Sequence, residues 1–114
     1  MPRDLTYLAD ILQAARLVLT FVENKTKAHF FTDLMCQSAV IRQIEIIGEA
    51  TKRLSEAFRN DHLEIPWRQM AGMRDVLIHA YDHVDLEEVW KTVKKDIPQL
   101  ISMIEPLVPP EGKA

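Results

Sequence analysis

The sequence predicts an all-α fold, an up-down bundle of four to five helices. The 114 residues include only 3 glycines, and runs of β-branched residues are few, which disfavours a sheet. Apolar residues recur at steps of three and four, the spacing that places them on one side of a helix. The length fits one domain over residues 1–114, with residues 106–114 expected to be a flexible tail because prolines end regular structure there.

The first predicted helix begins with Asp4 as its N-cap and ends near Glu23 to Lys25. Its polar residues lie elsewhere on the helical wheel, and its apolar residues share one side: Leu5, Leu8, Ile11, Leu12, Ala15, Val18, Leu19 and Val22. A polar break follows over residues 24–32, in which Phe30 and Phe31 are expected to pack back on the core.

The second predicted helix runs from Thr32 or Asp33 to Phe58. Gly48 lies in its interior, where glycine costs roughly 1 kcal/mol relative to alanine, so a close helix–helix contact is expected there. Arg42, Glu45 and Glu49 share one face of this helix. A solvated, salt-bridged face is the favoured interpretation, and the alternative is that Glu45 or Glu49 reaches Arg74.

Pro66 is expected to open the third helix, where its missing N–H costs nothing, and His79 to Tyr81 are expected to form the last turn. Asp85 and Glu88 have the spacing of a capping box for the fourth helix. Pro98 then kinks that helix or begins a short fifth helix through Glu105.

The charge, cysteine content and hydropathy of the sequence limit the classes of function that this protein can have. The net charge is −3 and the pI is about 5.8, so a broad electrostatic footprint for duplex nucleic acid is excluded and any such chemistry must rely on a local site. The single Cys36 cannot form an internal disulfide and is expected to be a core residue in a reducing cytoplasm. No apolar run approaches the ~18 residues of a membrane span, so no membrane association is expected.

The segment Met73 to Asp85 carries the densest chemistry of the chain. Arg74 offers a rigid fork of donors for phosphate oxygens. His79 can take a proton from a 2′-hydroxyl and return one to a leaving oxygen near neutral pH, so the pair suits phosphodiester cleavage without a metal. A histidine in the last turn of a helix would also be favoured in its charged form by the macrodipole.

Helical spacing alone does not decide whether Arg74 and His79 form one site. On a straight helix Arg74 and His79 lie about 140° apart, so one chain presents them awkwardly, whereas two copies around a two-fold axis could surround one cleft. The simpler alternative pairs Arg74 with a carboxylate and makes His79 a core or interface histidine. A metal site at His79 and His83 is weaker, since the predicted helix end falls between them.

Several motifs together resemble a known family. They are IGEA from Ile47, IPW from Ile65, GMRDVLIHAYDHVD from Gly72, VW from Val89 and DIPQL from Asp96. The chain resembles the HepT-like toxins of the HEPN superfamily, small all-helical ribonucleases, over most of its length. The hallmark is an arginine, four residues, a histidine, one residue and a tyrosine.

The resemblance implies a metal-independent endoribonuclease that acts as a homodimer on RNA, with Arg74 and His79 as the catalytic pair and no cofactor. Asp75 and Glu49 are candidate supporting residues. Tyr81 lies where, in type VII-like toxin–antitoxin pairs, an MntA-like minimal nucleotidyltransferase antitoxin adds AMP. An alternative remains, a non-catalytic HEPN module that binds the nucleotidyltransferase or a nucleotide without cutting RNA.

Overall fold

The computed structural model describes residues 2–79 and 83–109 and confirms the all-α prediction. The α-helices are α1 (Pro2–Phe21), α2 (Lys27–Phe31), α3 (Leu34–Arg53), α4 (Glu56–Asn60), α5 (Trp67–Ala71), α6 (Met73–Leu77), α7 (Leu86–Lys91) and α8 (Ile97–Ile104). A π-helical turn (Thr92–Asp96) joins α7 to α8, and a 3₁₀ turn (Glu105–Leu107) follows α8. Two strands of two residues each, β1 (Ile78–His79) and β2 (His83–Val84), pair antiparallel between α6 and α7. There are more helical segments than predicted because two of the expected helices are broken and α2 was not expected.

The long helices α1 and α3 pack against each other and form the centre of the core. Their fully buried side chains include Leu8, Ile11 and Val18 from α1 and Ile44 and Ile47 from α3. Six of the eight residues in the apolar stripe expected on the first helix are therefore buried, whereas Leu5 is 41% exposed and Leu19 is half-buried. Helix α8 packs on α1, while α5 and α6 pack on α3.

The contact between Asp4 and Ser55 changes two of the predicted helix boundaries. Helix α1 begins at Pro2, so the prediction of Asp4 as its N-cap is wrong; the Asp4 carboxylate instead accepts hydrogen bonds from the Ser55 amide and hydroxyl, both at 2.8 Å. Ser55 in turn caps α4, and its hydroxyl oxygen accepts the Phe58 amide. The second helix consequently ends at Arg53 rather than at Phe58, because Leu54 and Ser55 adopt extended backbone conformations there.

The cap predictions have mixed outcomes. Asp85 caps α7 through its side chain, as expected. Asp33 caps α3 in the same way, at the position where the second helix was expected to begin. Pro66 is the N-cap of α5 rather than its first helical residue. Pro98 has no N–H to offer the carbonyl of Lys94, and the turn that precedes α8 is π-helical, which keeps the chain helical past the proline.

The aromatic residues near α2 lie on the core, as expected. Phe30 is fully buried, and the centre of its ring lies 5.2 Å from that of the Trp90 ring. Phe31 is partly buried and packs against the hydrophobic core. At the other end of the chain, Leu107 and Val108 also pack against the core. The flexible tail stays a prediction, and its residues 110–114 lie outside the described part. Within that part, no helix is both long and apolar enough to cross a membrane.

Candidate functional site

Arg74 lies on α6 and is held by a carboxylate of α3. Its Nε donates to Glu45 Oε2 at 2.7 Å, and its side chain remains 47% exposed. The hydrogen bond that Arg74 donates to Glu45 raises the pKa of the guanidinium further above its ordinary value, so the group stays cationic throughout the working pH range. This contact was the less favoured of the two interpretations of the Arg42–Glu45–Glu49 face. A guanidinium anchored through Nε keeps its outer nitrogens available for a ligand.

Gly48 sets the distance between α3 and the helix that leads into α6. A Cβ built on Gly48 would lie 3.1 Å from the carbonyl oxygen of Ala71, closer than ordinary packing. The predicted close helix–helix contact is therefore present. Glu45 lies three residues before Gly48, and Arg74 lies three residues after Ala71. The Gly48–Ala71 contact and the Glu45–Arg74 hydrogen bond therefore belong to one antiparallel register between α3 and the segment that contains α5 and α6. The glycine thus brings α5 close enough for Glu45 to reach Arg74.

Two further charged side chains surround this pair. Arg42 Nη1 lies 3.6 Å from Glu45 Oε1, so one carboxylate bridges two guanidinium groups. Asp75 Oδ1 lies 3.9 Å from Arg74 Nη1 and is 76% exposed, a contact that water screens strongly. Glu49 is exposed one helical turn past Glu45 and lines a different groove, between α1 and α3. Of the two carboxylates considered as partners of Arg74, Glu45 is thus the one that holds it.

His79 does not lie in a helix. Helix α6 ends at Leu77, and the backbone of His79 belongs to β1, in register opposite His83 of β2. The prediction that the third helix continues through His79 is therefore wrong, and the helix-dipole and helical-spacing arguments made for His79 do not apply. Paired extended residues suit the β-branched Ile78 and Val84. Ala80 and Tyr81, expected in the same turn, lie outside the described residues.

The remaining candidates are structural or solvated. Cys36 is buried, and its Sγ donates a hydrogen bond to the Phe21 carbonyl at 3.4 Å. Burial raises the pKa of the thiol, which agrees with the expectation that Cys36 is a core residue. No group of three or more His, Cys, Asp or Glu residues within the described ranges could hold a metal ion. Three cations of α3 and α5 are exposed: Lys52, Arg53 and Arg68.

Sequence reasoning missed two features around this site. The Asp4–Ser55 contact joins residues 51 positions apart, and the only local signal was a serine three residues before Phe58 inside an apparently continuous helix. The groove that Tyr7 and Arg53 line depends on how α1 and α3 pack, and spacing along either helix does not reveal it.

Comparison with known proteins adds evidence that is independent of this geometry. A family model described as Ribonuclease HepT-like matches residues 11–107. A protein of Thermococcus cleftensis named "Probable ribonuclease HepT" is 50% identical over 101 residues, which cover 89% of this chain and 92% of that protein. A protein of Caldanaerobacter subterraneus subsp. tengcongensis named "Putative RNase" is 38% identical over 105 residues, covering 92% of this chain and 94% of the relative.

A longer relative also matches. A Methanocaldococcus jannaschii protein named "Gamma-glutamylcyclotransferase and putative RNase" is 50% identical over 94 residues, which are 82% of this chain but 42% of that protein. The chain therefore spans less than half of this relative. No solved structure matches the chain.

Proposed function

Because the chain belongs to the ribonuclease HepT-like family, we propose that it is a metal-independent endoribonuclease toxin whose RNA-cleaving site is shared by two copies of the chain. The observation that carries the proposal is the family match, which spans both Arg74 and His79. The geometry of Arg74 supports it, since a half-exposed guanidinium fixed through one nitrogen is suited to a phosphate.

In the proposed reaction, His79 removes the proton of a ribose 2′-hydroxyl, and the 2′-oxygen attacks the adjacent phosphorus. The bond from phosphorus to the 5′-oxygen breaks, the leaving oxygen takes a proton from a histidine, and a 2′,3′-cyclic phosphate remains. Arg74 stabilises the charge that develops on the non-bridging oxygens. Proton transfer and charge stabilisation are both supplied by side chains, so cleavage is expected to persist in the presence of a chelator.

The direct test is cleavage of defined RNAs by the purified protein. His79→Ala should lower the rate by a factor of about 10² to 10⁴, the usual contribution of a general acid–base group. The matched control is His29→Ala, which removes an exposed histidine from α2. Full cleavage by His79→Ala would refute the assignment, whereas loss of cleavage by both variants would point to a general effect on the protein.

The dimeric arrangement is supported by an exposed apolar end of α3. Leu34 and Met35 are adjacent at the start of α3 and are 76% and 84% exposed, so together they form an apolar surface. Leu34 lies on the same face of α3 as Glu45, and Met35 lies on the same face as Arg42, at steps that keep residues aligned along a helix. A second copy that covers this end would lie along the side of α3 that carries Arg42 and Glu45.

Regulation by a partner is the finer part of the proposal. An MntA-like minimal nucleotidyltransferase antitoxin transfers AMP to Tyr81 in the cytoplasm of the host cell. The added phosphate places negative charge two residues from His79, where an RNA phosphate must bind, and so blocks cleavage. Co-expression followed by intact-mass measurement should reveal the added AMP. A modification that persists in Tyr81→Phe, or an unmodified mass, would contradict it.

One observation favours a second function, a HEPN module that binds the nucleotidyltransferase or a nucleotide without cutting RNA. Glu45 neutralises Arg74, and the chain carries a net charge of −3, so neither the pair nor the whole surface attracts RNA over long range. The cleavage assay separates the two functions, because a binding module gives no products that depend on His79.

A further inference from the structure

A groove between α1 and α3 begins beside the Arg74–Glu45 pair. Its volume is about 320 Å³, and its lining includes Tyr7 and Asp10 from α1 and Arg42, Glu49 and Arg53 from α3. Arg42 belongs both to this groove and to the site, since it also contacts the carboxylate that holds Arg74. A ligand chain bound at Arg74 could therefore continue into the groove without crossing another helix.

The two arginines of the groove present available donors. Arg53 is exposed and forms no ion pair within 4 Å among the residues described here. Arg42 is 66% exposed, and its one carboxylate neighbour at 3.6 Å leaves most of its five donors unused. Eleven residues separate the two positions, or about 16 Å along the helix axis. Cations this far apart suit phosphates of an extended strand that are not adjacent to each other, rather than a single small anion.

Tyr7 supplies a surface of a different kind. Its ring is half-buried and packs against the core, so its position is fixed while part of it faces the groove. A fixed aromatic ring beside cationic side chains is the combination that single-stranded nucleic acids use for base stacking.

The acidic side chains of the groove decide between kinds of ligand. Asp10 and Glu49 balance the formal charges of Arg42 and Arg53, so the groove is not a general site for polyanions. Carboxylates do accept hydrogen bonds from the amino groups of unpaired bases. The full set of groups therefore matches a nucleotide, with its phosphate, its aromatic base and its amino edge, better than a bare phosphate chain.

We propose that the groove lined by Tyr7, Arg42 and Arg53 binds a single-stranded stretch of the RNA substrate next to the scissile phosphate. This inference rests on the proposed ribonuclease function and names the part of the surface that positions its substrate. Arg42 and Arg53 contact phosphates, Tyr7 stacks on a base, and Asp10 and Glu49 contact base amino groups.

The test measures binding and cleavage separately. Binding of a labelled single-stranded RNA is followed by fluorescence anisotropy in the His79→Ala protein, which cannot consume the probe. Tyr7→Leu should weaken binding at least about fivefold through lost stacking. Arg53→Gln should weaken it and reduce the slope of log Kd against log salt by about 0.7, because one phosphate contact is lost. In the protein with His79 intact, both changes should raise KM for cleavage and leave kcat within about twofold.

Controls distinguish the groove from unspecific effects. Lys94→Gln removes an exposed cation from the π-helical turn and should change neither Kd nor KM. Tyr7→Phe keeps the ring and should retain binding. Unchanged Kd in both Tyr7→Leu and Arg53→Gln would overturn the inference while cleavage by the unmodified protein still upheld the ribonuclease. If the unmodified protein cleaves no RNA, the ribonuclease proposal fails. The anisotropy measurements still test whether the groove binds RNA, and the absence of detectable binding would overturn the inference about the groove.

Discussion

Asp4 is the residue whose charge couples two distant parts of the chain. It is 4% exposed, and hydrogen bonds from the Ser55 amide and hydroxyl lower the pKa of its carboxyl below the ordinary 3.8. A carboxyl with a lowered folded pKa contributes stability above its unfolded pKa and loses it as pH falls through the folded value. We therefore expect Asp4→Asn to reduce the free energy of unfolding by about 1–2 kcal/mol at pH 7 and by less below pH 3.

Urea unfolding of both proteins at pH 7 and near pH 2.5 measures this difference. The matched control is Asp10→Asn, an exposed carboxylate on the same helix that should cost little at either pH. A destabilisation by Asp4→Asn of equal size at both pH values would contradict the charge-based account.

Glu45 acts on the proposed chemical step through Arg74. Glu45→Gln keeps the side-chain length but removes the charge that holds Arg74 Nε at 2.7 Å, so the guanidinium loses its fixed orientation. We expect kcat for RNA cleavage to fall roughly 10- to 100-fold with a smaller change in KM, since misplacement of a positioned group mainly costs transition-state stabilisation.

Glu49→Gln provides the comparison, because Glu49 lies on the same helix and lines the neighbouring groove. Because Glu49 is proposed to contact the bound RNA, its replacement should change KM while kcat stays within about twofold of the unmodified protein. Glu45→Asp should recover part of the lost rate. Equal losses of kcat in Glu45→Gln and Glu49→Gln would show that Glu45 has no special role.

Among the helices, the approach of α5 to α3 is the feature on which the position of Arg74 depends. A side chain at Gly48 would meet the Ala71 carbonyl, a backbone atom that cannot rotate away. Gly48→Leu should therefore reduce the free energy of unfolding by about 1–3 kcal/mol through overpacking and should also lower RNA cleavage in the molecules that remain folded. Gly72→Ala is the control, because its Cβ would sit 3.6 Å from the Arg68 carbonyl, an ordinary contact. Equal stability of the two variants, measured by urea unfolding, would refute the close-contact argument.

How far the sequence predicts the structure depends on whether an element is determined locally. The cap at Asp85 and the contact at Gly48 were predicted because each follows from one residue and its immediate surroundings. The end of α3 was missed, since Ser55 leaves the helix to bind Asp4, a residue far away in sequence. His79 was placed in a helix because its segment keeps helical spacing, whereas the observed structure pairs it with a strand that follows it. Two-residue pairings of this kind have no periodic signal.

For the site, the sequence predicted the residues better than their arrangement. Arg74 was identified from its chemistry and from the motif around it, and two possible carboxylate partners were named, of which Glu45 proves to be the one in contact. Choosing between Glu45 and Glu49 requires the register of α3 against α5 and α6, which no pattern within a single helix contains. The groove beside the site depends on the packing of α1 on α3 in the same way.

At the scale of the whole molecule, the exposed end of α3 bears on whether the site is shared between two copies. Met35→Glu places a charge at a position that is 84% exposed, so the fold should tolerate it, while an apolar interface there would not. We expect the variant to shift the protein from dimer to monomer in analytical ultracentrifugation and to lose RNA cleavage in parallel. Leu63→Glu, at another exposed apolar residue outside α3, should remain dimeric and active. A dimeric Met35→Glu protein would exclude this surface as the interface.

Mixing two inactive variants tests sharing of the site directly. If Arg74 of one copy acts with His79 of its partner, a mixed dimer of Arg74→Ala and His79→Ala chains contains one site with both groups intact. Unfolding and refolding the two variants together should then recover up to about a quarter of the unmodified rate, because half of the dimers are mixed and each has one intact site of two. If both groups act within one chain, no mixed dimer holds a complete site, and the mixture stays as inactive as either variant alone. Recovered cleavage therefore requires both a dimer and a site built from two chains.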